Sequence, residues 1–168
     1  MDLQHLFKIQ SIIENSIMQI SDIKEDALGK ENVFDLRFLA LQIKTGEIAN
    51  LTKCYKYSKE QESIPKDKLF VRYLDAMKFL LSIGNVHEFN IIDKYAIEAL
   101  EREENIIKLF SSIYDGISNL KEEILQNNYI GALSIYTKLF AKYVNLGEVL
   151  GLSFDEVYAY YTKNYMAS

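Results

Sequence analysis

Tryptophan is absent from the 168-residue sequence, and the chain has only one cysteine, one proline and two histidines. The single cysteine, Cys54, excludes a disulfide within the chain and a cysteine-based zinc site, so we expect it to pack as a small hydrophobic residue. His5 and His87 are too far apart in the sequence to show the local spacing of histidine metal ligands. One proline and seven glycines argue against a turn-rich all-β protein.

Long apolar runs and an excess of positive charge are also missing. No stretch approaches the roughly 20 apolar residues that a membrane-spanning helix needs, and the N-terminus MDLQHLFKIQ lacks the pattern of a signal peptide. We therefore expect a cytoplasmic protein with no membrane partner. The net charge of −5 gives no electrostatic basis for binding nucleic acid. The length is sufficient for a single domain over residues 1–168 with a substantial core.

The apolar residues recur at the helical period almost throughout, which predicts an all-α helical bundle. Pro65 is suited to the start of a helix, and Gly84 to the end of one. Ser153 and Glu156 have the spacing of a capping box. The predicted helices lie at about 2–20, 31–56, 66–83, 103–126 and 128–149, with a short helix within 85–101 and a last helix from SFDE onward.

Two acidic residues interrupt the apolar pattern. The predicted inward face of the second helix comprises Val33, Leu36, Leu39, Ala40 and Ile43, and it continues to Glu47 and Asn50. Asp75 lies in the third helix. A carboxylate that faces a helical core must be ion-paired, hydrogen-bonded or bound to a metal, because burying an unpaired charge is very costly.

Two interpretations of these acids follow from spacing. Lys44 precedes Glu47 by three residues and Arg72 precedes Asp75 by three, so each pair is suited to a salt bridge on one helix. The other interpretation is a metal site, because hard divalent cations prefer carboxylate oxygen ligands.

Four stretches resemble the dimeric, all-α dUTPases of bacteria and their phages, within the MazG-like nucleotide pyrophosphohydrolase superfamily. They occur in the family's order: LFKIQ (6–10), LALQIKTGEIANLTKCYKYS (39–58), YLDAMKFLLSIG (73–84) and LFAKYVNLGEVLGLSFDEV (139–157). The resemblance implies a helical dimer that releases pyrophosphate from dUTP by attack of an activated water. It also implies a magnesium site made of a Glu-x-x-Glu pair and a Glu-x-x-Asp pair.

Only half of that acid quartet is present. Glu47 matches the second acid and Asp75 the fourth, whereas Lys44 and Arg72 stand at the first and third positions. Lys78 takes the place of a common histidine. The four positions carry no net charge instead of −4, and each unit-charge interaction at 4 Å is on the order of 4 kcal/mol at an effective dielectric of 20. We therefore expect Glu47 and Asp75 to be the remnant of a lost metal site, with no bound cofactor.

The resemblance also indicates nucleotide-binding positions. Gln10 falls where a first-helix glutamine of the family reads the uracil base, and Asn50 matches a family asparagine. Lys163 and Asn164 match a lysine–asparagine pair near the family's C-terminus, and Lys56 is a further candidate. The remaining cations could form internal salt bridges with Glu47 and Asp75, or they could bind a nucleotide phosphate without hydrolysing it.

These observations predict a dUTPase-like protein that has lost hydrolysis and acts by binding a dUTP- or dUMP-like nucleotide or another protein. The resemblance implies a homodimer, or a mixed dimer with an active relative, and the apolar faces over 103–149 need a partner or a tight bundle. The alternative is an active Mg²⁺-dependent dUTP diphosphatase or related pyrophosphohydrolase. That enzyme would have to recruit other acids, such as Glu60, Glu62 or Asp67.

Overall fold

The computed structural model describes residues 2–20, 28–56 and 64–165, without the side chains of 16–20 and 164–165. These residues are mainly helical and contain no strand, which confirms the predicted all-α class. None of the described helices is long and apolar enough to cross a membrane. The helices are α1 (Leu3–Ile20), α2 (Lys30–Thr52), α3 (Lys66–Val86), α4 (Lys94–Glu98), α5 (Ile106–Leu125), α6 (Tyr129–Val149) and α7 (Phe154–Tyr165).

Polar side chains at the helix ends explain where several of these helices begin. Asn105 accepts hydrogen bonds from the first backbone amides of α5, and Asn128 accepts one from Gly131 in α6. At the start of α7 the predicted capping box is confirmed. The Glu156 amide donates to the Ser153 hydroxyl at 3.1 Å, and the Ser153 amide donates to the Glu156 carboxylate at 3.4 Å. Pro65 directly precedes α3, also as expected.

The end of α3 was predicted too early. Gly84 is buried inside the helix, which continues to Val86. A Cβ atom at this position would lie 2.6 Å from Cε1 of Phe7 and 2.9 Å from Cζ of Tyr136. The glycine is therefore required by the close approach of two aromatic rings and does not terminate the helix. The second helix ends earlier than predicted, at Thr52, because Lys53 adopts a left-handed conformation with φ of 52°.

The core is one hydrophobic cluster to which all of these helices contribute. α3 contacts α1, α2 and α6, while α6 also contacts α4, α5 and α7. The apolar faces of α5 and α6 pack against each other, which meets the need for burial predicted over 103–149. Cys54 is partly buried against this cluster, as expected for a small hydrophobic residue.

The predicted inward face of α2 is wrong. Leu36, Leu39 and Ile43 are 51%, 55% and 52% exposed. The side chains that α2 buries are Phe38, Leu41, Thr45 and Ile48. Both sides of this helix carry apolar residues, so periodicity alone could not select the face that contacts α3 and α5.

We predict opposite effects of alanine at two helical glycines. Gly84→Ala should lower the free energy of unfolding by about 1–3 kcal/mol, because the new methyl group overpacks the contact with Phe7 and Tyr136. Gly116→Ala in α5 is the control. Its Cβ would meet only the flexible end of Leu139 at 3.3 Å, so better helix propensity should leave stability unchanged or raised by up to about 1 kcal/mol. Urea unfolding of both variants measures the difference, and equal stabilities would contradict the packing argument.

Candidate functional site

The two helices that carry Glu47 and Asp75 lie side by side and run in opposite directions. Three polar contacts mark the seam between them. Arg37 donates to the hydroxyl of Ser82 at 2.9 Å, and further along the seam Lys44 meets Asp75 and Glu47 meets Arg72. Residue numbers rise on α2 while they fall on α3, as an antiparallel pair requires. The seam therefore brings the two remnant acids together.

Five charged side chains form a connected cluster in this seam, which we call the α2–α3 ion network: Lys44, Glu47, Arg72, Asp75 and Lys78. The ammonium of Lys44 lies 3.4 Å from Oε2 of Glu47 and 4.0 Å from Oδ2 of Asp75. Nη1 of Arg72 lies 3.5 Å from the same Oε2 of Glu47, and the ammonium of Lys78 lies 3.8 Å from Oδ1 of Asp75. Cations and carboxylates thus alternate along the network, with Lys44 at its centre.

Three of these four pairings differ from the spacing-based prediction. The predicted Lys44–Glu47 pair is present, but Arg72 reaches across the seam to Glu47 instead of pairing with Asp75 on its own helix. Asp75 pairs with Lys44 and Lys78. Sequence reasoning noted Lys78 only as a departure from the family. Its position three residues after Asp75 was a usable signal for the ion pair.

A buried set of hydroxyl groups holds the seam from the core side. The Thr45 hydroxyl donates to the Leu41 carbonyl at 2.7 Å and shares a hydrogen bond with the hydroxyl of Tyr143 in α6. The Tyr73 hydroxyl donates to the Tyr143 carbonyl at 2.5 Å. Burial raises the pKa of both tyrosines well above the usual value, so their hydroxyl groups stay protonated and can donate at neutral pH. Thr45 and Tyr73 adjoin Lys44 and Arg72 in sequence, and α6 therefore fixes both helices beneath the network.

The residues present in the seam do not fit a magnesium ion. Magnesium binds through oxygen ligands, and each of the two carboxylates here already lies beside two cations. The network contains three cations and two carboxylates, a net charge of +1. Within the described part of the chain, no group of three or more histidine, cysteine, aspartate or glutamate side chains could hold a metal ion.

Of the three acids that an altered metal site would recruit, the structure describes only Asp67. Asp67 is exposed in the first turn of α3. It precedes Asp75 by eight residues, which corresponds to about 12 Å along a helix axis. Glu60 and Glu62 lie outside the described residues.

None of the described contacts joins one predicted nucleotide-binding residue to another. Gln10 is buried between α1 and α7, where its amide donates to Glu14 at 3.3 Å and its carbonyl oxygen accepts from the hydroxyl of Tyr161. Asn50 is exposed and accepts a hydrogen bond from Tyr55 at 2.8 Å. Lys56 and Lys163 are exposed, and the side chain of Asn164 lies outside the described residues. Their roles in nucleotide binding stay predictions.

A concave region of about 340 Å³ lies elsewhere, between α6 and the segment around α4. Its lining includes Arg102 and Glu148, which neutralise each other in an ion pair. Asn145, also in the lining, exchanges two hydrogen bonds of 2.8 Å with the backbone of Glu103. The side chains of Arg102, Asn145 and Glu148 are therefore occupied by structural contacts.

The fold and the seam define an all-α bundle in which two adjacent antiparallel helices each contribute one carboxylate to an ion network. The dUTPase family model matches residues 2–167, which is nearly the whole chain. The chain belongs to the dUTPase family. Neither the search of curated proteins nor the search of solved structures gives a match.

The ion network predicts that Lys44 contributes more to stability than an exposed lysine does. Lys44→Met keeps the apolar stem but removes the cation that both carboxylates share, so the free energy of unfolding should fall by about 1 kcal/mol or more. Lys121→Met is the matched control, since Lys121 pairs with the single carboxylate of Asp35 at 2.7 Å and both side chains are more exposed. That variant should lose only a few tenths of a kcal/mol. Urea unfolding at low and high salt tests this, and an equal loss in both variants would contradict it.

Proposed function

We propose that this member of the dUTPase family has lost metal-dependent hydrolysis and acts by binding a nucleotide or another protein. The observation that carries the proposal is the position of Lys44, whose ammonium group lies between the two carboxylates that the family resemblance assigns to metal binding. A divalent cation at this point would have to displace Lys44. It would still face the positive charges of Arg72 and Lys78.

The partial exposure of the network does not remove this obstacle. The side chains of Glu47 and Asp75 are 35% and 30% exposed, so water screens part of each charge but leaves the carboxylates dependent on nearby cations. Each carboxylate has two cationic neighbours, so its charge is balanced without a metal ion. The network therefore favours the loss of metal-dependent catalysis and leaves Lys44 and Arg72 as candidate ligands for an anion.

The second candidate function is an active dUTP diphosphatase with an altered set of metal ligands. Membership of the family over residues 2–167 is the observation in its favour. The acids available to it are few: Asp67 lies about 12 Å along the helix from Asp75. This candidate differs from the first in one measurable property, the metal-dependent release of pyrophosphate from dUTP.

We predict that the natural protein releases no pyrophosphate from dUTP at high protein concentration with Mg²⁺ or Mn²⁺. The double variant Lys44→Glu/Arg72→Glu restores four carboxylates to the seam and should gain metal-dependent activity. Its melting temperature should also rise on addition of Mg²⁺, because the metal relieves repulsion among the four acids. Metal-dependent turnover by the natural protein would overturn the proposal.

The matched control for this experiment is Arg102→Glu/Lys121→Glu. It makes the same change in net charge outside the seam, at an arginine and a lysine that also form ion pairs. It should stay inactive and show no gain in melting temperature with Mg²⁺. A gain in the control would mean that overall charge, and not the seam, controls metal binding.

We also infer that the protein forms a dimer through the exposed face of α2 (Leu36, Leu39 and Ile43). Each of these side chains is about half exposed, and they follow one another at helical spacing next to Lys44 and Glu47. The family resemblance implies a dimer, and an uncovered apolar stripe beside the site is the surface that a second copy would bury. A mixed dimer with an active relative would use the same surface.

Sedimentation velocity tests this inference. The natural protein should sediment as a dimer, whereas Leu39→Lys should sediment as a monomer with an unchanged helical circular dichroism spectrum, because it places a charge at the centre of the stripe. Ile130→Lys is the control: Ile130 is 79% exposed at the start of α6 and should not affect association. A monomeric natural protein, or a dimer that survives Leu39→Lys, would contradict this interface.

A further inference from the structure

We propose that the α2–α3 ion network binds a triphosphate chain in its metal-free form, and that Glu47 occupies the position of a phosphate oxygen until the ligand displaces it. This inference rests on the proposed loss of hydrolysis and specifies the ligand of the same site. The phosphate ligands would be Lys44 and Arg72, one from each helix of the seam.

Two cations of the network converge on a single oxygen atom. Lys44 Nζ and Arg72 Nη1 both point at one atom, Oε2 of Glu47, from 3.4 and 3.5 Å. Two cations from different helices that share one anionic oxygen form the arrangement that recognises a phosphate oxygen. The hydroxyl groups of Thr45, Tyr73 and Tyr143 fix the two helices behind them, so this convergence is part of the fold.

The cation–carboxylate contacts within the network are long. Charge-assisted hydrogen bonds between cations and carboxylates are usually about 2.7–2.9 Å long. Lys121 and Asp35 reach 2.7 Å in this molecule and the exposed Lys66–Glu156 pair lies at 3.6 Å, while the contacts within the network lie between 3.4 and 4.0 Å. The carboxylates of the network thus attract the cations without forming close hydrogen bonds to them. An anion with several mobile oxygens could approach the same cations more closely.

The network is accessible to a ligand, and its exposed cations favour an anion. The Arg72 side chain is 47% exposed and that of Glu47 is 35% exposed, so Glu47 can rotate towards solvent without repacking the core. Lys44 and Arg72 place two positive charges beside one carboxylate oxygen, on a chain whose net charge is −5. Removal of the Glu47 carboxylate from the contact leaves Lys44 and Arg72 facing the ligand. Free triphosphate carries more negative charge than its magnesium complex, so added Mg²⁺ should weaken binding.

Isothermal titration calorimetry of the full chain in EDTA at low salt tests the proposal, with dUTP and inorganic tripolyphosphate as probes. Both should bind, and excess Mg²⁺ should weaken both. If dUTP binds more tightly than tripolyphosphate, the protein also contacts the nucleoside. If the two bind equally, the protein recognises the phosphates alone. Both outcomes support the site. Absence of binding in EDTA for both probes, or binding that requires Mg²⁺, would overturn it.

Variants separate this site from a remnant metal site. Glu47→Gln should tighten binding in EDTA by about five- to tenfold, because it removes the competing charge. A remnant metal site predicts the opposite, since Glu47 would then be a ligand. Arg72→Gln should weaken binding by about tenfold. Arg102→Gln, which removes an arginine paired with Glu148 outside the seam, should leave binding unchanged.

Rejection of the triphosphate site can be distinguished from rejection of the proposed loss of hydrolysis. Pyrophosphate release from dUTP with Mg²⁺, measured on the same preparations, decides whether hydrolysis is lost. An inactive protein that binds neither probe in EDTA, with or without Glu47→Gln, would reject the triphosphate site and leave protein binding as the proposed role.

Discussion

The ammonium group of Lys44 lies between two half-buried carboxylates, and the polar seam of α2 and α3 depends on that contact. Glu47 and Asp75 are each only about one third exposed, so nearby cations replace part of the water that a free carboxylate would bind. In this chain the cations belong to the protein. The same two helices are held from behind by buried hydroxyl groups that reach α6. Ion pairs on the solvent side of the seam and hydrogen bonds on its core side thus together fix how α2 packs against α3.

Much of the fold could be predicted from sequence because its signals are local. Helical periodicity located the helices, and the spacing of Ser153 and Glu156 identified a capping box that the structure contains. The errors arose where a distant contact overrides a local signal. Gly84 resembles a helix end, but it is required by Phe7 and Tyr136, which are far away in the sequence. The apolar residues on both sides of α2 left its buried face undetermined.

Four of the five charged residues of the ion network stood out in the sequence, but most of their pairings could not be predicted. The residues Lys44, Glu47, Arg72 and Asp75 stood out because acids in an apolar helical pattern need partners. Spacing along one helix suggested that Arg72 pairs with Asp75, whereas the antiparallel register of α2 and α3 places it beside Glu47. Register depends on the packing of whole helices, and no short sequence pattern contains that information. Gln10 shows the same limit, since its partner Tyr161 lies 151 residues away.

That distant hydrogen bond has a consequence for the route by which the bundle forms. α1 buries Leu6, Phe7 and Ile9 as well as the side chain of Gln10, whose carbonyl oxygen accepts from Tyr161 in α7. His5 in α1 likewise contacts Tyr158, 153 residues later. Contacts between residues so far apart require closure of a long loop, which costs chain entropy and slows folding. The docking of α7 on α1 is therefore a non-local step, and neither helix can complete its polar contacts by local structure alone.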